Sequence, residues 1–130
     1  AVASTWKGWG SAKVCPSIST GLSEMGRFDV YRNPEPAHSA DVPYLLDVQC
    51  NLLSALDSRV VVPLRRVDRF SPVGLPRNLA PVVDIEGIAC FLETPKLAAV
   101  PARILKQPVA SLAQNSAAIT GSLDFLFQGF

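Results

Sequence analysis

Long apolar runs are missing from this sequence, and so are most of the residues that enzymes use for chemistry. No stretch approaches the roughly 18 residues that a membrane-crossing helix needs. The first residues carry only Lys7 and Lys13 and no continuous apolar stretch, so no secretory signal is expected. One histidine, His38, is present, and a Ser-His-Asp or Cys-His site would have to be built on it. It lies between Glu35 and Asp41 in a proline-rich stretch, which predicts a solvated loop histidine. The three cysteines, Cys15, Cys50 and Cys90, are odd in number and far apart, and none belongs to a Cys-x-x-Cys pair. That argues against a disulfide framework and against a zinc site, and predicts reduced thiols in a cytoplasmic protein. No Gly-x-Ser-x-Gly, phosphate loop or dinucleotide fingerprint occurs. The aspartates are scattered rather than clustered for two metals, so neither a cofactor nor a metal is expected. Charge of one sign is missing as well. Twelve basic residues against eleven acidic ones leave a net charge of +1. Direct nucleic-acid binding is therefore not expected, and the densest basic cluster, "PLRRVDR" (63–69), reads as a solvated loop face.

What is present points to one β-rich domain. The chain has 130 residues, 48 % of them apolar and 18 % charged, enough for a core and too apolar for disorder. "RFDVYR" (27–32) alternates with period two and predicts a strand. "NPEPAHSADVP" (33–43) is a loop, "YLLDVQC" (44–50) a second strand, and "NLLSALDS" (51–58) a loop or one helical turn. "RVVVPL" (59–64) is β-branched, and its strand should end at Pro63, which cannot donate to a ladder. After a punctuated loop (69–81), "VVDI" (82–85), Glu86–Gly87 and "IACFLE" (88–93) read as a hairpin. "KLAAV" (96–100), closed by Pro101, is a further strand.

The last segment changes period. Ile119, Leu123, Leu126 and Phe127 fall at i, i+4, i+7 and i+8, one stripe of a helix. Ser111 or Asn115 would cap its start, and Gly129 would end it in a left-handed conformation. Phe125, Gln128, Gly129 and Phe130 stay outside the stripe. The terminal aromatic thus lies where an intramolecular core seldom reaches, and a contact with another molecule would account for it. From the residues alone this is a non-enzymatic, β-rich interaction domain.

Several pieces in fixed order identify a relation. They are "FDVY" (28–31), "LDVQ" (46–49), "NLL" (51–53), "RVVVPL" (59–64), "PVV" (81–83), "AAVP" (98–101), "PVASL" (108–112) and "LDFLFQGF" (123–130). This ordered set resembles the CcdB toxins of bacterial toxin–antitoxin modules from Met25 to the last residue. Residues 1–24 have no counterpart and are expected to be an N-terminal extension, with 25–130 as the CcdB-like toxin domain. The resemblance implies a mainly β fold, an SH3-like β-barrel with a small extra sheet and a C-terminal α-helix, in a homodimer. It also implies a poison that binds the DNA gyrase A subunit, holds gyrase on cleaved DNA and is neutralised by a CcdA-type antitoxin, with no chemistry of its own. The family's terminal Trp-Gly-Ile contacts gyrase, which places Gln128, Gly129 and Phe130 in that surface. Gln128 departs from the pattern by replacing an indole with an amide. The resemblance adds Asp124 from the helix and Cys50, Leu52 and Leu53 from the loop after the second strand. Leu52 and Leu53 could instead be plain core, and Cys50 a half-buried strand residue.

Two other readings stay open. An endoribonuclease toxin shares this barrel, and Arg59, Arg65 and Arg66 could then serve on its face. A non-toxic relative could only sequester antitoxin. Residues 1–24 carry no matching motif, so their deletion is expected to shift stability by no more than the about 1 kcal/mol of a surface change. Thermal unfolding of the shortened chain measures this, and a much larger loss would make the segment part of the domain.

Overall fold

Seven short strands form among the described residues, and the longest of them is rich in β-branched valine. The computed structural model describes residues 26–53 and 55–129. The expected extension 1–24, Met25, Ser54 and Phe130 lie outside the described residues. The strands are β1 (Asp29–Arg32), β2 (Tyr44–Asp47), β3 (Ser58–Arg66), β4 (Val82–Ile85), β5 (Ile88–Leu92), β6 (Ala98–Pro101) and β7 (Pro108–Ser111). One helix, α1 (Ser116–Gln128), follows them. All pairings are antiparallel, in the order β4-β5-β3-β2-β1-β7, with β6 branching off β3. The fold is thus mainly β, a curled half-barrel with a C-terminal helix, consistent with the SH3-like barrel that the resemblance implied.

The nine-residue β3 makes this branching possible. One edge pairs with β2 over Val61–Leu64. The other edge pairs with β6 over Ser58–Val61 and then with β5 over Leu64–Arg66. Pro63 falls in the gap between these two partners, and its carbonyl accepts the Glu93 N–H at 2.9 Å. No ladder donor is therefore missing, and the strand runs past the proline at which the sequence predicted its end.

Two other boundaries move for local reasons. β1 starts at Asp29 rather than 27 because Phe28 has φ 73°, a left-handed conformation that no strand accommodates. β2 ends at Asp47 rather than 50 because the Asp47 carboxylate accepts the Gln49 N–H at 3.0 Å, which turns the chain away from the ladder. The β4–β5 turn is tight. Glu86 and Gly87 have φ 54° and 85°, the paired left-handed geometry that matches strand twist. Glu86 also ties the turn to two other strands. Tyr44 Oη donates to its Oε1 at 2.6 Å and Arg32 Nη2 to its Oε2 at 3.2 Å. β5 is separated from β2 by β3, so these bonds hold the hairpin tip over the concave face.

Period two divides the side chains between the faces. Val30, Tyr44, Leu46, Val62, Leu64, Ile85 and Leu92 fill the concave side, with Ile119 of α1 among them. Their neighbours in sequence, Tyr31, Leu45 and Val61, form a second cluster with Leu105 on the other face. Two titrating groups sit in the main core. Burial pushes the Cys90 thiol from 9.0 up to about 11. Burial and the Glu86 carboxylate push the Tyr44 phenol from 10.0 up to about 12. Both raised groups keep their protons in the folded state after the unfolded chain has lost them. Their stabilising contribution is complete below pH 9 and is lost as pH rises, from 9 to 11 for Cys90 and from 10 to 12 for Tyr44. Thermal unfolding between pH 8 and 12 should show a falling midpoint over this window. Cys90→Ala should flatten the part between 9 and 11, and an unchanged slope in that variant would disprove the assignment.

Candidate partner-binding site

Asp47, Gln49 and Arg59 build the platform for one half of the expected site. Arg59 reaches Asp47 Oδ2 through Nε at 2.8 Å and Nη2 at 2.7 Å, and both side chains are fully enclosed. Nη2 also donates to the Gln49 carbonyl at 3.3 Å. Burial pushes the Asp47 carboxyl above its ordinary range, and the Arg59 charge opposes that push. Removing one partner of such a pair leaves an uncompensated buried charge and costs about 3–5 kcal/mol. The Gln49 side chain replaces the strand where β2 has ended. Its Oε1 accepts the Val60 N–H at 3.1 Å, and its Nε2 donates to the carbonyls of Ser58 at 3.1 Å and Leu53 at 3.3 Å.

That last bond holds the turn on which Leu52 and Leu53 lie, a single 3-10 turn at Asn51–Leu53. Leu52 is 47 % exposed and Leu53 half-buried, so the alternative that Leu52 is plain core fails. Cys50 is half-buried and disulfide-bonded, so the expectation of three reduced thiols is wrong at this position. Separation along the chain says nothing about distance in space, and distance is what governs disulfide formation. Sequence reasoning also missed two neighbours of this turn. Arg27 donates its backbone N–H to Asn51 Oδ1 at 2.8 Å and its Nε to the Val48 carbonyl at 3.1 Å. Its guanidinium stacks on Phe28, 4.7 Å from the ring centre. A contact across 24 residues leaves no local pattern to read.

The other half is the end of α1. Gly129 takes φ 83° and donates to the Phe125 carbonyl at 2.9 Å, which is the left-handed stop that the sequence predicted. Asp124, Gln128 and Gly129 are exposed, and Phe130 lies outside the described residues. The helix start differs from expectation. Asn115 makes no side-chain cap, and Ser111 Oγ accepts the Ala113 N–H at 3.3 Å, one 3-10 turn before the helix. The buried stripe differs too. It follows Ile119, Ser122, Leu123 and Leu126, whereas Phe127 is 72 % exposed. At 100° per residue, i+8 stands about 80° off the line through Ile119, while i+3 and i+7 stay within about 60° of it. Ser122 can occupy the buried stripe because its hydroxyl donates to the Ile119 carbonyl at 2.8 Å. It lies 3.4 Å from Thr94 Oγ1, which donates to the Leu79 carbonyl at 2.7 Å. Both hydroxyl protons are thus used elsewhere, and the Thr94–Ser122 approach is a packing contact that seats the helix.

Beside Asp124, an open groove of about 420 Å³ runs between α1 and the chain at 77–81, with Phe125 and Arg77 in its lining. No hydrogen bond or ion pair joins the helix end to the Asn51–Leu53 turn among the described residues. The arginines of the basic cluster at 63–69 are ion-paired. Arg65 pairs with Glu93 at 2.9 Å, Arg66 with Asp68 at 2.8 Å and Arg69 with Asp41 at 3.6 Å. Arg65 and Arg66 belong to β3, which corrects the reading of that cluster as a loop face. Arg59 is enclosed and cannot meet a substrate. Among the described residues, no group of three His, Cys, Asp or Glu side chains could hold a metal ion, and no helix is long and apolar enough to cross a membrane.

The sequence model of one family, described as CcdB protein, matches residues 27–129. No match was found among curated proteins.

The observed stripe predicts opposite outcomes for two apolar residues of α1. Ile119→Ala should destabilise the fold by about 2–5 kcal/mol. Phe127→Ser should change stability by less than about 0.5 kcal/mol, as exposed positions do. Denaturant unfolding of the two variants measures both, and equal losses would mean that Phe127 packs as core.

Proposed function

The chain belongs to the CcdB family, whose members are toxins of toxin–antitoxin modules, and from that premise we propose that it binds the DNA gyrase A subunit and traps gyrase on cleaved DNA. In this reading residues 25–130 are the toxin domain and 1–24 an extension, and the chain acts in the cytoplasm as a homodimer without catalysing a reaction itself. A CcdA-type antitoxin neutralises it. The gyrase-binding surface comprises Asp124, Gln128, Gly129 and Phe130 from the helix end, and Cys50, Leu52 and Leu53 from the turn after β2.

The observation that carries this reading is the end of α1. Phe127 is 72 % exposed and is followed by an exposed amide and a glycine stop. Among the described residues these side chains are not enclosed, so a partner can cover them. The endoribonuclease reading loses support, because Arg59 is enclosed against Asp47 and the two arginines that follow it in β3 are ion-paired. Gln128 favours one second reading, a non-toxic relative that only sequesters antitoxin. Expression in antitoxin-free cells separates the two, since a toxin stops growth and a decoy does not.

Deleting residues 128–130 should leave thermal unfolding nearly unchanged and weaken inhibition of gyrase supercoiling by at least about tenfold. Burial of one Phe side chain alone contributes about 1.5–3 kcal/mol, which is about 10- to 150-fold. Gln128→Trp should strengthen inhibition, because a stacked cation contributes about 0.5–2 kcal/mol. If the truncation destabilises the domain as much as Ile119→Ala does, the tail is core. If it changes neither quantity, the chain is not a gyrase poison of this kind.

A further inference from the structure

The turn after β2 carries a covalent bond that the proposed activity does not use. Cys50 is half-buried and disulfide-bonded, and it immediately precedes the 3-10 turn of Leu52 and Leu53. The sequence has three cysteines. Cys90 is free and fully buried in the main core, and burial keeps its thiol protonated. Such a thiol is inert toward other sulfurs. Within one chain, Cys15 is then the cysteine left to partner Cys50.

The point where the chain enters the domain supports this pairing. Arg27 donates its backbone N–H to Asn51 Oδ1 at 2.8 Å, beside Cys50, and its Nε to the Val48 carbonyl at 3.1 Å. Phe28 donates its N–H to the Asp47 carbonyl at 2.7 Å. Residues 27 and 28 are thus fastened along the same stretch of chain that ends in Cys50. Cys15 lies about eleven residues before Gly26, and a chain of that length spans at most about 36–40 Å. It can therefore turn back to bring its Cα within the about 4.4–6.8 Å of Cys50 that a disulfide needs.

The turn itself is held by other bonds. Leu53 donates its N–H to the Cys50 carbonyl at 2.9 Å, and Gln49 Nε2 donates to the Leu53 carbonyl at 3.3 Å. Opening the disulfide leaves both in place. What it changes is the ground beside Leu52, which is 47 % exposed. A Cys50 sulfur bonded to Cys15 carries a chain segment there, and a free Cys50 does not.

We propose that Cys15 and Cys50 form a reversible cross-link that ties the N-terminal segment to the turn after β2, so that oxidation weakens gyrase inhibition and reduction restores it. The effect on gyrase rests on the reading given above; the cross-link does not. Closure takes a small disulfide such as oxidised glutathione. The Cys50 thiolate attacks one of its sulfurs and one glutathione thiolate leaves; the Cys15 thiolate then attacks Cys50 Sγ and displaces the second. The two protein thiols are oxidised, and two glutathione thiols take up their protons and electrons. A dithiol reverses the step and leaves as its cyclic disulfide. A reducing cytoplasm keeps thiols open, so the open form is the resting state there and the closed form reports oxidation.

The test uses the full chain, oxidised with glutathione disulfide or reduced with dithiothreitol. Thiol counting in denaturant should find only Cys90 in the oxidised chain and all three cysteines in the reduced one. Non-reducing digestion should join the peptides of Cys15 and Cys50. Reduction should strengthen inhibition of supercoiling by about tenfold, or about 1.4 kcal/mol of affinity. Cys15→Ser should inhibit as the reduced chain does, with no response to dithiothreitol, which separates the switch from any effect of the reductant on gyrase. A cross-link restricts the unfolded chain, so deletion of residues 1–24 should lower the thermal midpoint of the oxidised chain and leave that of the reduced chain nearly unchanged. Three thiols in the oxidised chain, or a covalent dimer on a non-reducing gel, overturns the pairing. A single thiol with equal inhibition in both states overturns the regulation and leaves the gyrase reading intact. If neither state nor Cys15→Ser inhibits gyrase, the toxin reading fails and the regulation falls with it, while the thiol count still decides the cross-link.

Discussion

The enclosed pair of Asp47 and Arg59 is the interaction around which the rest is arranged. It joins β2 to β3 where β2 leaves the ladder, and it leaves the Gln49 side chain to continue the pairing that the strand gives up. A buried ion pair is weak evidence for stability, because desolvation offsets much of the attraction. Here Arg59 Nη1 even lacks a hydrogen-bond partner among the described residues. What the pair supplies is position. An Asp47 without Arg59 would be a buried charge, and an Arg59 without Asp47 likewise, so the two strands are held in one register. That register sets where the turn at Asn51–Leu53 emerges and therefore where Leu52 faces solvent.

The second constraint is β3, which serves three partners. Its length lets β6 and β5 share one edge, and Pro63 sits where the edge changes hands. The Glu86 carboxylate ties the β4–β5 turn to Tyr44 of β2 and Arg32 of β1 across the intervening β3. α1 then closes the open side with Ile119 in the core and Ser122 against Thr94. The helix end is exposed because the stripe stops before Phe127.

The end of α1 was legible in residue patterns because its features are local, whereas Cys50, Leu52, Leu53 and Asp124 were named only through the family resemblance. Gly129 as a helix stop needs only its own missing Cβ, and the change of period marks where α1 begins to pack. Phe127 was misplaced because an i+8 position is close enough to the stripe to pass on paper, while the real stripe uses Ser122, whose polarity hides it. The strand β7 was missed because a four-residue segment that begins with proline has no periodic signal. Arg27 was missed because its contact with Asn51 is long-range.

The amino-acid sequence by itself determined the class of fold, the alternation that separates two faces, the position of most strands and turns, and the family to which the chain belongs. Each of these depends on neighbours within a few residues or on an ordered set of short motifs. Only the tertiary structure decided that Arg59 is core rather than surface, that Phe127 is surface rather than core, and that Cys50 is bonded. Those outcomes depend on which distant segments share space, and hydrophobic periodicity gives a side chain's direction but not what it will meet there.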